Sequence, residues 1–299
     1  MVDLRRVTSS RKRVLPAAIA LIGIVVGLMT LLGFFSNNPN VDGRYPAIMA
    51  HRGLSEAAPE NTLAAFAAAV ELKFDVEFDV YECQSQELVV IHDLTVDRTT
   101  NGSGAIADLT LDELKSLDAG SWFESAFARE KIPMLSDVFA CIRERQTRET
   151  TIAVNLKTIS QGIEKKIVRL AEESGVLDQL LCFGMDEESN RRLKEANPSV
   201  KTAMATSRFQ GINLADKQDW NRAINRNDVD ALWVNFVPDA DQIVAAQQAG
   251  KSVWFHFRKY HPAKAALQAT QNGVDGICTD FPIPLRRTLR ESRRESPDS

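Results

Sequence analysis

The sequence lacks three features that would assign it to common functional classes. It has no excess of positive charge, because 36 lysine and arginine residues stand against 40 aspartate and glutamate residues, and so it offers no basic footprint for nucleic acid. Its four cysteines show no CxxC or other paired metal-ligand spacing, which favours buried free thiols. No glycine-rich phosphate-binding motif follows an apolar strand pattern, which argues against a dinucleotide-binding sheet. What remains is a chain with 44% hydrophobic residues, long enough for one large domain with a full core.

Residues 14–35 contain no charged residue and follow a basic segment. Residues 1–13 carry five arginine or lysine residues against one aspartate. As a helix, residues 14–35 would be about 33 Å long, close to the thickness of one bilayer core. The basic flank predicts a cytoplasmic N-terminus and places the rest of the chain on the extracytoplasmic side.

Three interpretations of residues 14–35 compete. A cleaved signal peptide usually has an apolar region of only about 7–15 residues and a small-residue cleavage site, and residues 32–36 offer no tidy site. A buried soluble helix would not be apolar on every face. We therefore favour a retained single-pass transmembrane helix, followed by a short polar linker at 36–45.

From residue 46 onward, strand and helix patterns alternate almost to the end of the chain. We predict strands near residues 47–50, 74–80, 151–156, 180–183, 200–204, 231–236, 252–257 and 276–279. Eight strand–helix units over about 250 residues are typical of an α/β TIM (β/α)8 barrel, and a doubly wound open sheet is the alternative. We expect the barrel to cover residues 46–287 and a polar tail to cover 288–299.

One segment exceeds what a simple barrel unit needs. A strand-like run at 88–91 and residues 95–131 lie between the second and third predicted units. We therefore expect a small insertion after the second strand.

Polar side chains lie at or near the ends of the first apolar runs. His51 and Arg52 leave the first run, and Glu77 and Asp79 lie two residues apart in the second, so both carboxylates point to one face of a strand. Chemistry in a TIM barrel collects at the C-terminal ends of strands. Two carboxylates on one face repel each other unless a cation lies between them, which indicates an oxygen-ligand metal such as Mg²⁺ or Ca²⁺.

Further polar residues follow the next runs. His92 follows the run at 88–91, and Asn155 and Lys157 alternate at the end of the third predicted strand. A lone histidine at a strand end is more often a structural hydrogen-bonding residue than a catalyst. Two histidines that converge with paired acids, Arg52 and Lys157 favour phosphate or metal chemistry instead.

A series of short motifs extends this pattern over nearly the whole chain after residue 46. They are His51-Arg52-Gly53, Pro59-Glu60-Asn61-Thr62, Glu77-Phe78-Asp79-Val80, Val90-Ile91-His92-Asp93 and the segments 97–102, 117–123, 132–135 and 273–280. In their order and spacing they resemble the glycerophosphodiester phosphodiesterase family.

The resemblance implies a TIM barrel that hydrolyses a glycerophosphodiester, with the help of a divalent metal, to glycerol 3-phosphate and an alcohol. The family's two histidines fall on His51 and His92 as general acid and base, and its metal-binding acids fall on Glu77 and Asp79. A divalent cation stabilises the charge that grows at the transition state. An imidazole that titrates near neutrality is a suitable proton donor.

Four further positions receive roles from the same resemblance. Arg52 and Lys157 are expected to bind the phosphate, Trp254 to line the substrate pocket, and Glu60 to orient Arg52 or a ligand. The expected substrate is a small glycerophosphodiester or a lysolipid, with the N-terminal helix holding the enzyme at a membrane.

The sequence also departs from the family pattern. Relatives carry Glu-x-Lys on the third strand, where this chain has Asn155, so the third metal ligand would be an amide oxygen and the cation would be held more weakly. Lys73 stands where the family usually has a glycine, and the turn at 84–86 lacks the glycine that the family usually has there. His256 lies in a changed segment after Trp254, and we interpret it as a packing or specificity residue rather than a third catalyst.

Two alternatives to an active hydrolase stay open. A weakened metal site would leave a barrel that binds the diester without turning it over. A lyase-like enzyme on the same barrel would release a cyclic phosphate from a lysolipid. The presence of both histidines and both strand-two acids favours hydrolysis.

Overall fold

In a computed structural model, which describes residues 45–184, 186–205, 212–257 and 263–294, eight parallel strands close into a barrel. The nine strands of this part of the chain are β1 (Ala47–His51), β2 (Asp75–Glu82), β3 (Leu88–Val90), β4 (Ile152–Leu156), β5 (Leu180–Phe183), β6 (Lys201–Ala205), β7 (Ala231–Val234), β8 (Ser252–Phe257) and β9 (Gly276–Thr279). All except β3 belong to the barrel. Because β1 pairs in parallel with both β2 and β9, the ring is closed. The predicted (β/α)8 barrel is confirmed, and the open doubly wound sheet is excluded.

Nine α-helices lie in the described residues. They are α1 (Leu63–Glu71), α2 (Leu111–Ser116), α3 (Leu135–Arg145), α4 (Ile163–Ser174), α5 (Glu187–Ala196), α6 (Lys217–Ile224), α7 (Ala240–Gln248), α8 (Ala263–Asn272) and α9 (Pro282–Arg294). Local chemistry explains α1: the Thr62 hydroxyl accepts a hydrogen bond from the Ala65 N–H and caps the helix. Phe66 and Val70, four residues apart, are buried in the same apolar cluster as Phe78 of β2. Burial of one such side chain stabilises the fold by about 1.5–3 kcal/mol.

Apolar side chains form an outer and an inner layer. The outer faces of the strands pack against the helices in two large clusters. The inner layer consists of alternate strand residues, among them Met49, Ala153, Leu181, Ala203 and Ala231. The described part of the barrel interior is therefore filled by a packed apolar core.

The segment after β2 forms the predicted insertion. β3 pairs antiparallel with β2, with Val90 opposite Val80, and lies outside the parallel ring. The short helix α2 follows, with a capping box between Thr110 and Glu113. The insertion has a small apolar cluster that includes Val89, Ile106, Leu114 and Ile132, so it packs as a layer of its own beside the barrel.

The two ends of the predicted domain organisation lie at the limits of the described residues. The predicted transmembrane helix at 14–35 lies outside the described residues, as do residues 1–13 and most of the linker. No helix within the described ranges combines the length and the apolar character that a membrane crossing requires. At the other end, α9 extends to Arg294, so residues 288–294, predicted as part of a polar tail, are helical. The reason is that Leu285 and Leu289 lie one turn apart and are both buried.

Candidate active site

Four of the predicted site residues converge towards the C-terminal ends of neighbouring barrel strands. His51 ends β1, Glu77 and Asp79 lie on β2, and Asn155 lies on β4. All four side chains are buried. The strand register places His51 opposite Glu77 and Asp79 opposite Asn155. Since barrel strands present alternate residues to the interior, these polar groups share one face.

The His51 imidazole lies between two carboxylates. Its Nδ1 atom is hydrogen-bonded to the carboxylate of Asp280, which follows β9, and its Nε2 atom lies 3.7 Å from Glu77 Oε2. When Nδ1 donates to Asp280, Nε2 is the ring nitrogen that carries the lone pair and can accept a proton. No role was predicted for Asp280 from the sequence, although its position directly after the last strand was an available signal.

Asp79 has donors on both carboxylate oxygens. Oδ1 lies 3.1 Å from Lys157 Nζ and accepts a hydrogen bond of 2.8 Å from Asn155 Nδ2. Oδ2 lies 3.5 Å from both Arg52 Nε and Asn61 Nδ2. Burial alone would raise the pKa of Asp79, but the charges of Lys157 and Arg52 outweigh burial and lower it. Asp79 is therefore ionised. Its carboxylate holds Arg52 and Lys157, the two residues predicted to bind phosphate, next to each other.

Glu77 has the opposite electrostatic environment. Burial, followed by the nearby charge of Asp79, raises the pKa of Glu77 to about 8. The backbone N–H of Arg52 donates to Glu77 Oε2 over 3.4 Å, and this long hydrogen bond does not offset the burial. Glu77 therefore holds a proton at neutral pH unless a further positive charge comes next to it.

The side-chain oxygen atoms of Glu77, Asp79 and Asn155 fit a divalent cation. This set has one carboxylate fewer than the family resemblance implies. In the described residues, no group of three histidine, cysteine or acidic side chains is arranged to hold a metal ion, so Glu77 and Asp79 need a ligand of another kind. Asn155 offers one, because its Oδ1 atom is buried and accepts no hydrogen bond from the part of the chain that the structure describes. An unpaired buried carbonyl costs about 1–3 kcal/mol, and carbonyl oxygens are usual ligands of Mg²⁺ and Ca²⁺.

His92 reaches the site from the insertion. Its Nδ1 atom is hydrogen-bonded to Asp93 Oδ1 over 2.6 Å, and its side chain is 27% exposed. Burial lowers the pKa of His92, and the charge of Asp79 opposes that effect. The backbone N–H of Ile91, the preceding residue, donates to the backbone carbonyl of Asp79 over 3.1 Å, so His92 lies next to β2 at the point where β2 carries the buried acids. Each of the two imidazoles thus has a carboxylate on Nδ1.

Arg52 connects the buried acids to Glu60. Its φ angle of 59° lies in the left-handed region, which turns the chain sharply at the end of β1. The Arg52 guanidinium is buried and donates through Nη1 to Glu60 Oε1 over 2.9 Å. This is the contact expected of a residue that orients Arg52.

The side of the barrel interior across from the acids is aromatic. Phe183 of β5 stacks on Trp233 of β7 with ring centroids 5.0 Å apart, and Trp233 stacks on Trp254 of β8 at 5.9 Å. His256, two residues after Trp254, has its ring centroid 4.6 Å from that of His51. The β8 residue in contact with the His51 imidazole is therefore His256, and Trp254 belongs to the packed aromatic layer, where it is 6% exposed. Phe183 and Trp233 were not singled out from the sequence, because apolar strand residues are not distinguished by their pattern alone.

Comparisons with known proteins point to one family. A family model described as "Glycerophosphoryl diester phosphodiesterase family" matches residues 51–283. A glycerophosphodiester phosphodiesterase from Caldanaerobacter subterraneus subsp. tengcongensis is 33% identical over 250 residues, which cover 82% of this chain and 98% of the relative.

Solved structures show the same similarity. A phosphodiesterase from Oleispira antarctica, in complex with the product sn-glycerol-3-phosphate, has a TM-score of 0.68 and 27% identity over 82% of this chain and 97% of the other. A glycerophosphodiester phosphodiesterase from Agrobacterium tumefaciens has a TM-score of 0.69 and 26% identity over 81% of this chain and 99% of the other.

Proposed function

The chain belongs to the glycerophosphoryl diester phosphodiesterase family, and on this premise we propose that its barrel hydrolyses glycerophosphodiesters, with a divalent cation, to glycerol 3-phosphate and an alcohol. The observation that carries the proposal is the convergence of two imidazoles, two carboxylates and two basic side chains at one end of a closed barrel. They are His51, His92, Glu77, Asp79, Arg52 and Lys157. TIM-barrel enzymes carry their active sites at this end.

Arg52 and Lys157 are the groups that we assign to the phosphate of the substrate. The guanidinium of Arg52 and the ammonium of Lys157 both lie within 3.5 Å of Asp79. Their positions are therefore fixed before a substrate binds. Preorganised charges of this kind stabilise a developing negative charge without reorganisation at the moment of reaction. The small polar diester is the substrate class that such a site recognises.

Glu77, Asp79 and Asn155 are the residues that would hold the cation, Mg²⁺ or Ca²⁺, since the family generally uses a divalent metal. When bound, such a cation would supply Lewis-acid stabilisation of the negative charge on the phosphate. Its charge would also lower the pKa of Glu77 and keep that carboxylate ionised. Because Asn155 contributes a neutral oxygen, we expect the cation to bind more weakly than in a site with three carboxylates.

His51 and His92 are assigned to proton transfer. Asp280 on one Nδ1 atom and Asp93 on the other orient the two rings, and we assign proton exchange to the Nε2 atom of each ring. One imidazole takes the proton of the attacking oxygen, and the other protonates the leaving alkoxide.

One observation favours a second candidate, a barrel that binds the diester without hydrolysing it. Asp79 already has Lys157 and Asn155 as close partners, at 3.1 and 2.8 Å, and Asn155 removes one negative charge from the site. If this environment keeps the cation out, a diester anion would bind between Arg52 and Lys157 and remain intact.

Release of glycerol 3-phosphate from glycerophosphocholine by the full chain tests the proposed activity. We expect release with Mg²⁺ or Ca²⁺, loss of release in EDTA, and recovery when the cation is added back. Lysophosphatidylcholine serves as a parallel substrate, and ³¹P NMR identifies the products. A cyclic phosphate would support the lyase-like alternative, and binding of the diester without any product would support the second candidate.

We also propose that residues 14–35 anchor the enzyme as a single-pass transmembrane helix. Residues 1–13 would lie in the cytoplasm, 36–45 would form a linker, and the barrel at 46–287 would lie on the extracytoplasmic side. The support is the uncharged run with its basic flank. After cell fractionation we expect the full-length chain in the membrane fraction, with the barrel open to protease from the extracytoplasmic face only. A chain in the soluble fraction that lacks residues 1–35 would contradict the anchor.

A further inference from the structure

Arg98 lies in the insertion, and its guanidinium donates hydrogen bonds to two carboxylates, those of Asp93 and Glu60. Its Nε and Nη2 atoms donate to Asp93 over 2.6 and 3.2 Å, and its Nη1 and Nη2 atoms donate to Glu60 over 3.0 and 2.7 Å. A guanidinium has five N–H donors, so these four hydrogen bonds leave little capacity for a phosphate. Any effect of Arg98 on the reaction must therefore act through Asp93 and Glu60.

Both carboxylates are also bound to residues of the candidate active site. Asp93 Oδ1 is hydrogen-bonded to His92 Nδ1 over 2.6 Å, and Glu60 Oε1 accepts a hydrogen bond from Arg52 Nη1 over 2.9 Å. A continuous series of contacts therefore runs from the imidazole of the insertion, through Arg98, to the guanidinium at the end of β1.

Arg98 also lowers the pKa of both carboxylates and so keeps Asp93 charged beside His92 and Glu60 charged beside Arg52. The hydrogen bond from Arg98 is the main cause that lowers the pKa of Asp93 to about 2. Burial would raise the pKa of Glu60, but Arg98 and Arg52 outweigh burial and lower it. Without Arg98, Asp93 could rotate away from His92. Glu60 would retain Arg52 as its counter-ion and would draw that guanidinium away from the phosphate.

We propose that Arg98 is a positioning residue that holds His92 and Arg52 in a fixed relation, so that proton transfer and phosphate binding occur in one geometry. The proposal rests on the function proposed for this site. Because partly exposed ion pairs contribute little to stability, the effect of Arg98 is expected on the reaction rather than on unfolding.

Arg98→Met in the full chain tests this role, and Arg191→Met is the matched control. Arg191 is likewise a partly exposed arginine between two carboxylates, Glu188 and Glu195, but it lies on α5. We expect Arg98→Met to lower kcat for glycerol 3-phosphate release by about 10–100-fold, as for the loss of a hydrogen-bond partner behind an active-site ligand. KM should rise, because Glu60 would draw the Arg52 guanidinium away from the phosphate of the substrate. Arg98→Lys, which keeps the charge without the planar fork, should recover part of the activity, and Arg191→Met should match the wild type.

A second measurement does not depend on turnover. The chain contains only four histidines, so ¹⁵N NMR can resolve the imidazoles, with His92→Ala as the assignment standard. The wild type should show His92 with its proton on Nδ1, and Arg98→Met should show a mixture of tautomers. A tautomer change in a protein that releases no product would support the positioning role while refuting the proposed activity. The positioning role is refuted if Arg98→Met leaves both the His92 tautomer and kcat unchanged, or if Arg98→Lys and Arg98→Met lose activity equally together with thermal stability.

Discussion

His51→Ala is expected to lower kcat for glycerol 3-phosphate release by about 10²–10⁴-fold, the loss typical of removing a positioned acid or base. The His51 imidazole has Asp280 on Nδ1 and Glu77 3.7 Å from Nε2, and alanine removes the proton carrier without filling its place. Steady-state assays with glycerophosphocholine at saturating cation measure the effect.

Two companion measurements separate lost chemistry from lost structure. Asp280→Asn keeps the imidazole and changes only its Nδ1 partner, so a smaller loss of kcat is expected than for His51→Ala. Free imidazole added to the assay should restore part of the activity of His51→Ala, while the far-UV circular dichroism stays that of the wild type. If His51→Ala retains full activity, His51 has no part in the mechanism and the assignment of the site is wrong.

Asn155→Glu is expected to raise the affinity for Mg²⁺ or Ca²⁺ on the order of tenfold or more, because the number of charged ligands is a main determinant of cation affinity. The buried Oδ1 atom of Asn155 has no hydrogen-bond partner among the described residues, and the glutamate side chain, one methylene longer, would extend a carboxylate from the same strand position towards the cation held by Glu77 and Asp79. Isothermal titration calorimetry of the full chain measures the affinity directly, whether or not the protein turns over substrate.

The same substitution should destabilise the cation-free protein. The pKa of Glu77 is already raised by burial and by Asp79, and a third buried acid adds to that cost when no cation is present. Thermal unfolding should therefore show a larger cation-induced rise of Tm for Asn155→Glu than for the wild type. Asn155→Gln, which adds no charge, is the control and should gain no affinity. If Asn155→Glu binds the cation no more tightly than the control, position 155 does not contribute a metal ligand.

Most of the barrel could be predicted because its strands are buried on both faces. Such strands are continuous apolar runs, and the runs at 180–183 and 276–279 coincide with β5 and β9. The end of β2 was predicted at residue 80, but the strand continues to Glu82. The strand is longer because Tyr81 and Glu82 pair with β3, outside the parallel ring. The residues of β2 alone do not indicate this pairing.

The residue pattern alone places Glu77 and Asp79 on one face, because side chains alternate along a strand with a period of two. It also determined that His51 and Asn155 stand near strand ends, where apolar runs give way to polar residues. Which groups meet depends on the fold, because closure of the ring places β9 beside β1 and so brings Asp280 to His51, 229 positions earlier in the chain. The period of a strand sets the direction of a side chain, whereas its partner depends on which strand becomes the neighbour when the barrel closes.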